Sequence, residues 1–418
     1  MRLRDLAYLL LTLLLFPVAI PYLLRGEYRH LLLRRLHPKL PPLQGSIWIH
    51  AVSVGEVRSL RRLITALRET TSAPIVLSVT TPSGLTVADK LFPDLAAVIP
   101  APVDLSWVVG RFLRRIQPRL MLFHELEIWP TWIAQLSRRR IPVVITNTRI
   151  SETAFRRYRL AAWLLRPAFA AVTRWLVQEE TYRERLLRLG VPAARMIVCG
   201  SLKADEAVDG REHLPPAEEV FAKLGLSRQG PPLLVVASSH PADEELVLPV
   251  LAGQKGRLRP LLVPRHPGRI AEIEAACTRL GLVSVRHSDH PGPVFPAADL
   301  LIYDQIGYLF PILSVADLVF MGGTCDPRVA GHNLYEPASL GRPIAGGPHC
   351  ENFAAIAEAL RRTDAYRTVT STTELSAWLA EMTPERRRSE GARARTVAEE
   401  SRGALACTLS QLRPLLTR

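Results

Sequence analysis

Cysteine is scarce in this 418-residue sequence, and what there is forms no motif. Cys199, Cys277, Cys325, Cys350 and Cys407 are odd in number, widely spread and include no CxxC pair. They suggest neither a zinc site nor a disulfide framework, and they fit a reducing compartment. Acidic pairs occur without clustered His or Asp partners, so no metal is expected. Neither GxGxxG nor GxxxxGK[ST] is present, which argues against a dinucleotide fingerprint and a phosphoryl-transfer loop. There is no internal repeat and no low-complexity tract. Basic residues are not interleaved with aromatics and no reader motif accompanies them, so the charge does not point to nucleic acid.

What is there is globular in composition: 48% hydrophobic and 22% charged residues. The length suits two domains of about 150–200 residues each. The net charge of +14 implies an anionic partner such as an anionic lipid or a phosphorylated substrate. The longest apolar run is Leu6–Leu24, bracketed by Arg2 and Arg4 before it and by Arg25, Arg29, Arg34 and Arg35 after it. As a helix it would extend about 28 Å, close to the bilayer core. No small-x-small cleavage site follows, and Pro17 and Pro21 interrupt it. The reading is an uncleaved anchor over residues 1–25, with the basic cluster meeting anionic headgroups on the cytoplasmic side.

Beyond the anchor, apolar runs alternate with amphipathic stretches. Strands are expected at 46–53, 74–80, 97–102, 119–125, 142–147 and 175–178, and again at 232–238, 259–265, 282–286, 300–304, 317–322, 342–346 and 366–369. Strands alternating with helices mean parallel sheets covered on both faces. The polar, Glu- and Pro-rich stretch over 205–230 reads as a linker. That divides the chain into domains over 26–204 and 231–385, with a charged helical tail over 386–418. Two doubly wound domains bind ligands at their carboxyl strand ends, so one substrate is expected in each half, facing a cleft.

The candidate residues lie at those strand ends. In His50–Glu56, Ser53 and Gly55 turn a strand into a helix and Glu56 follows in the first turn, where a carboxylate can act as general base or merely complement the helix N-terminus. Thr81, in Thr80–Gly84, repeats the geometry after the second strand as a ligand hydroxyl or an ordinary cap. Glu125 and Glu127 follow the fourth strand ahead of Trp129-Pro130. In the second half, Ser239 and His240 end one strand and Arg265 the next, a plausible anion site. Gly323 and Thr324 let backbone approach a ligand. His332 and Asn333 open a segment carrying Glu336, a pattern suited to phosphate and ribose hydroxyls. Two basic clusters, Arg138–Arg140 and Arg156, Arg157 and Arg159, suit phosphates or lipid headgroups, or are solvated helical faces.

These motifs in this order resemble the Kdo (3-deoxy-D-manno-octulosonic acid) transferase family. The resemblance is carried by HAVSVGE at 50–56, ELEIWP at 125–130, NTRIS at 147–151, GSLKAD at 200–205, VPRHPGR at 263–269, GHNLYEPASLGRPI at 331–344 and GPHCENF at 347–353. It implies a GT-B fold and a metal-free, inverting transfer without cofactor. CMP-Kdo is then the donor and a phosphorylated lipid A precursor the acceptor, at the cytoplasmic face of the inner membrane. Glu56 falls on the family's base and Glu127 on its second acidic motif. Ser53, Thr81, Glu125 and Arg149 are then expected on the acceptor side. Lys203, Ser239, His240, Arg265, Gly323, Thr324, His332, Asn333 and Glu336 are expected at the donor. Leu126, Thr131 and the Asp326–Ala330 stretch depart from the usual pattern. The alternatives are a sugar-nucleotide epimerase of the same two-domain fold, or another membrane-associated GT-B transferase.

Overall fold

The computed structural model describes residues 27–37, 40, 42–289 and 298–416, with side chains from residue 31 onward. The expected anchor over 1–25 lies outside the described residues. Among those described, no helix is long and apolar enough to cross a membrane. The chain forms two compact units, residues 1–202 together with 403–418, and residues 203–402.

The first unit is built on seven parallel strands: β1 (Ser46–Ala51), β2 (Ile75–Val79), β3 (Ala97–Pro100), β4 (Pro118–His124), β5 (Val143–Thr148), β6 (Arg174–Val177) and β7 (Met196–Val198). Their order is β3-β2-β1-β4-β5-β6-β7. Neighbouring strands pair in parallel because every connection passes through a crossover. Side chains alternate between two layers, as period-two geometry demands. Trp48, Met121, Phe123 and Trp175 pack on the layer that holds Phe112, Trp132 and Phe169. Ile47, Ile49, Leu120 and Leu122 pack on the layer that holds Val57, Leu63, Leu85 and Leu412. Covering both faces explains why β1 reads as an unbroken apolar run instead of alternating.

The second unit repeats the plan with β8 (Leu233–Ser239), β9 (Arg259–Pro264), β10 (Ser284–Arg286), β11 (Leu300–Ile302), β12 (Leu318–Met321), β13 (Ile344–Gly346) and β14 (Tyr366–Thr368). Here the order is β10-β11-β9-β8-β12-β13-β14. Val235, Val263 and Val319 face one core; Val236, Leu262, Phe320 and Trp378 face the other. In both sheets the strand order reverses beside the first strand, between β1 and β4 and between β8 and β12. Ligands of such sheets bind there, at the carboxyl ends.

Two features differ from the sequence reading. The 205–230 stretch is not an open linker: it carries helices Leu202–Asp209 and Ala217–Leu224, whose Ala204, Val208, Val220 and Leu224 are buried in the second unit's core. The tail is two helices, Pro384–Glu400 and Ala404–Leu416, parted at Gly403 (φ +115°). The later one packs Ala404, Leu412 and Leu416 into the first unit. That return brings Cys407 to Cys199, and the two are disulfide-bonded with Cα atoms 5.5 Å apart. The expectation of unpaired cysteines therefore fails for this pair. A sequence separation of 208 residues gives no local signal for it.

Candidate active site

In the first unit, three carboxylates gather at the β1/β4 reversal. Ser53 caps the short helix Val54–Ser59, its hydroxyl accepting from the Glu56 N–H. The Glu56 carboxylate folds back, accepting from the Val52 N–H at 2.8 Å and from the Ser53 hydroxyl at 3.0 Å. These two bonds fix the carboxylate's direction. Thr81 steadies the same turn from below, donating its hydroxyl to the Val52 carbonyl at 2.9 Å while accepting from the Gly84 N–H. Glu125 follows β4 in the left-handed region (φ +60°), a costly conformation for a residue with a side chain. Its carboxylate accepts from Arg149 Nε at 3.2 Å, which joins the ends of β4 and β5. The Glu127 N–H then donates to the Glu125 carbonyl. Burial, and next the nearby Glu56 charge, push the Glu127 carboxyl up to about 7. Near neutral pH Glu127 therefore still holds its proton part of the time.

Two buried histidines hold this site. His124, at the end of β4, meets the Ser59 hydroxyl at 2.8 Å and the Thr146 hydroxyl at 3.1 Å, and Ser59 donates to the Glu56 carbonyl. The β4 end is thereby tied to the helix that carries Glu56. His50 meets the Ser78 hydroxyl at 3.1 Å and lies edge-on to Trp129 and Trp132. Complete burial drops its pKa to about 3, so it is neutral.

The second unit's site lies at the β8/β12 reversal. Asp243, fully buried, organises it. It accepts from the backbone N–H groups of His240 (2.9 Å), Gly323 (2.6 Å) and Cys325 (3.1 Å). Gly323 sits at φ +70°, and a Cβ there would come within 2.7 Å of the His332 ring. His240 and His332 stack, their Nε2 atoms 2.9 Å apart, with His266 edge-on to His240. Burial, then the neighbouring His240, bring His332 down to about 4. Asn333 donates to Glu336 at 3.0 Å and accepts from the Tyr335 N–H. Asn352 donates to the Val329 carbonyl at 2.8 Å and fixes the preceding turn. Arg265 stands exposed after β9, near enough to lower both His240 and His332. Lys203 lies over the Phe353 ring at 5.7 Å.

The family model for 3-deoxy-D-manno-octulosonic-acid transferase (kdotransferase) matches residues 27–206. A 3-deoxy-D-manno-octulosonic acid transferase of Chlamydophila psittaci is 33% identical over 82% of this chain and 81% of its own. The chain belongs to the Kdo transferase family. The enzyme of that name from Bordetella pertussis is 32% identical over 89% of this chain and 87% of its own. A UDP-GlcNAc 2-epimerase from Neisseria meningitidis shares the fold, with a TM-score of 0.63 at 13% identity over 88% of this chain and all of that one. This Kdo transferase relative is thus a glycosyltransferase on two parallel-sheet domains.

Within each unit the expected residues converge. In the transferase's first unit Ser53, Glu56, Thr81, Glu125, Glu127 and Arg149 all stand at carboxyl strand ends. In its second unit so do His240, Arg265 and Gly323, with His332 stacked on His240, while Asn333 and Glu336 pair at the start of the helix Tyr335–Ser339. Two of the expected donor hydroxyls point inward. Ser239 donates to Glu244. Thr324 is fully buried, donating to the Met321 carbonyl and accepting from the Gly347 N–H at 2.6 Å. Sequence reasoning missed Asp243, His124 and His50, which act through other residues. Asp243 had one readable signal, its place three residues after the N-cap His240.

Proposed function

We propose that this enzyme transfers Kdo from CMP-Kdo to a hydroxyl of a phosphorylated lipid A precursor, with inversion and without a metal, at the cytoplasmic face of the inner membrane. The acceptor oxygen attacks the anomeric carbon opposite CMP, the bond to the CMP phosphate breaks, and Glu56 takes the hydroxyl proton. Glu127 supports the acceptor in its neutral form. The observation that carries this reading is the pairing of Glu56 with a Glu127 carboxyl raised to about 7 at the β1/β4 reversal. A carboxylate trio there suits a polyol and a proton acceptor.

In the second unit, Glu336 and Asn333 suit the ribose hydroxyls. The Gly323 turn, His240, His332, Arg265 and Lys203 suit the phosphate and carboxylate of the donor. Charge growing on departing CMP meets groups already oriented for it, which is how such sites lower a barrier. Residues 1–25 and anionic lipids hold the enzyme near its acceptor in this reading.

The test is incubation with CMP-Kdo and a tetra-acylated lipid A precursor, with products read by mass spectrometry and CMP release followed in parallel. One Kdo mass added per CMP released is expected. Glu56→Gln keeps the shape and loses the proton acceptor, so kcat should fall about 10²–10⁴-fold with CMP affinity unchanged. Retention of more than about a tenth of turnover removes Glu56 from the role.

A further inference from the structure

The helix Glu152–Ala171 has a buried side and an unusual outer one. Its inner side sets Phe155, Leu165 and Phe169 in the core, and Tyr158 lies close enough to Glu127 to feel its charge. On the outer side Leu160 is 80% and Trp163 67% exposed. Single exposed apolar residues need no explanation, but these two stand three positions apart, on one stripe. Arg156 continues the stripe, and Arg157 and Arg159 flank it, all three exposed. On the same layer of the unit, the helix Ser106–Ile116 exposes Trp107 (54%), with the Arg111 guanidinium over its ring at 5.2 Å. Arg111 also donates to the carbonyl of Leu36, soon after the apolar run that ends at Leu24. Trp and Leu ringed by arginine is the composition of a surface that lies in a membrane interface.

We propose that the outer face of Glu152–Ala171 docks on an anionic phospholipid surface. Leu160 and Trp163 enter the headgroup–acyl boundary, and Arg156, Arg157 and Arg159 meet lipid phosphates. The partner is a bilayer and not a protein because the apolar stripe is narrow and the exposed charges beside Leu160 and Trp163 are arginines, the one acid on the stripe, Glu152, being paired with Arg156 and Arg185, a match to lipid phosphates. The contact would hold the carboxylate site, one helix thickness away, at the surface where a lipid-borne acceptor lies; in that respect it rests on the reading above.

The test uses the full chain in vesicles, with an environment-sensitive fluorophore on Leu160→Cys and, as reference, on Val283→Cys in the second unit. Vesicles of phosphatidylcholine with phosphatidylglycerol carry nitroxide-labelled lipid. At position 160 a blue shift and at least twofold quenching are expected, with neither at 283. In the Arg156→Gln/Arg157→Gln/Arg159→Gln background the quenching should fall several-fold. No quenching at 160, or equal quenching in phosphatidylcholine alone, overturns the proposal. Leu160→Gln/Trp163→Gln should lower transfer to vesicle-borne acceptor at least fivefold and leave transfer to detergent-dispersed acceptor unchanged; equal loss on both overturns it as well. Quenching at 160 without any Kdo transfer leaves the dock standing and removes the assigned reaction.

Discussion

At the scale of single residues, the candidate site holds one carboxyl far from its ordinary state. Glu127 is the informative one, because its raised pKa has a thermodynamic signature. A carboxyl at about 7 when folded and near its ordinary value when unfolded binds more protons in the folded state between those limits. Stability therefore falls as pH rises from about 4.5 to 7, and the strain is fully present above that. Glu127→Gln removes the ionisation. The variant should gain about 1–3 kcal/mol relative to wild type at pH 8 over the difference seen at pH 4.5. Urea unfolding followed by tryptophan fluorescence measures it, since six of the seven tryptophans belong to the first unit. A pH-independent difference would show that Glu127 ionises normally. His50 has the opposite sign: depressed to about 3, it stabilises above pH 6.5 and progressively less below it.

At the scale of elements, strand ends make the site, and several are distorted to do so. Glu125, Asn147 and Ser238 all take positive φ, and Asn147 and Ser238 coincide with register shifts in β5 and β8. Bulges of this kind re-aim side chains at a sheet's rim. Among the glycines with positive φ, Gly323 leaves a side chain the least room. Gly323→Ala combines a left-handed backbone with a methyl group against His332 and should cost about 1–3 kcal/mol. It should also weaken CMP binding at least tenfold by calorimetry; unaltered CMP affinity would separate the turn from the nucleotide. Thirteen of the fourteen strands were legible in the sequence, because fully buried parallel strands are written as apolar runs between turn residues. The exception is β7, a three-residue edge strand that follows directly on the 3-10 turn Ala193–Arg195. The residues placed at strand ends were legible for the same reason: ligand positions follow from topology. Asp243, His124 and His50 were not, because their partners are brought together by folding from distant parts of the chain. Ser239 and Thr324 carry the right chemistry at the right place, yet their hydroxyls turn inward, a choice of rotamer that composition does not encode.

At the scale of the molecule, one unit is interrupted by the other. The first is completed by the final helix, held by Leu412 and Leu416 and by the Cys199–Cys407 bond. A bond closing a loop of that length restricts the unfolded chain, in the entropic account by roughly 5 kcal/mol. Cys199→Ser or added reductant should therefore lower the first unit's unfolding midpoint and leave the second unit's unchanged. Equal shifts in both, read by hydrogen exchange in each, would contradict the division.

The same discontinuity sets an order of events during synthesis. Residues 203–402 are all present when Arg402 leaves the ribosome, so the second unit has everything it needs to close. The first unit, begun earlier, still lacks the helix that covers Ile47, Leu120 and Leu63. Its apolar layer stays open until helix Ala404–Leu416 has emerged. The domain that is translated first is thus the one that finishes folding last, and a chain without that helix is left with an exposed core and a finished neighbour.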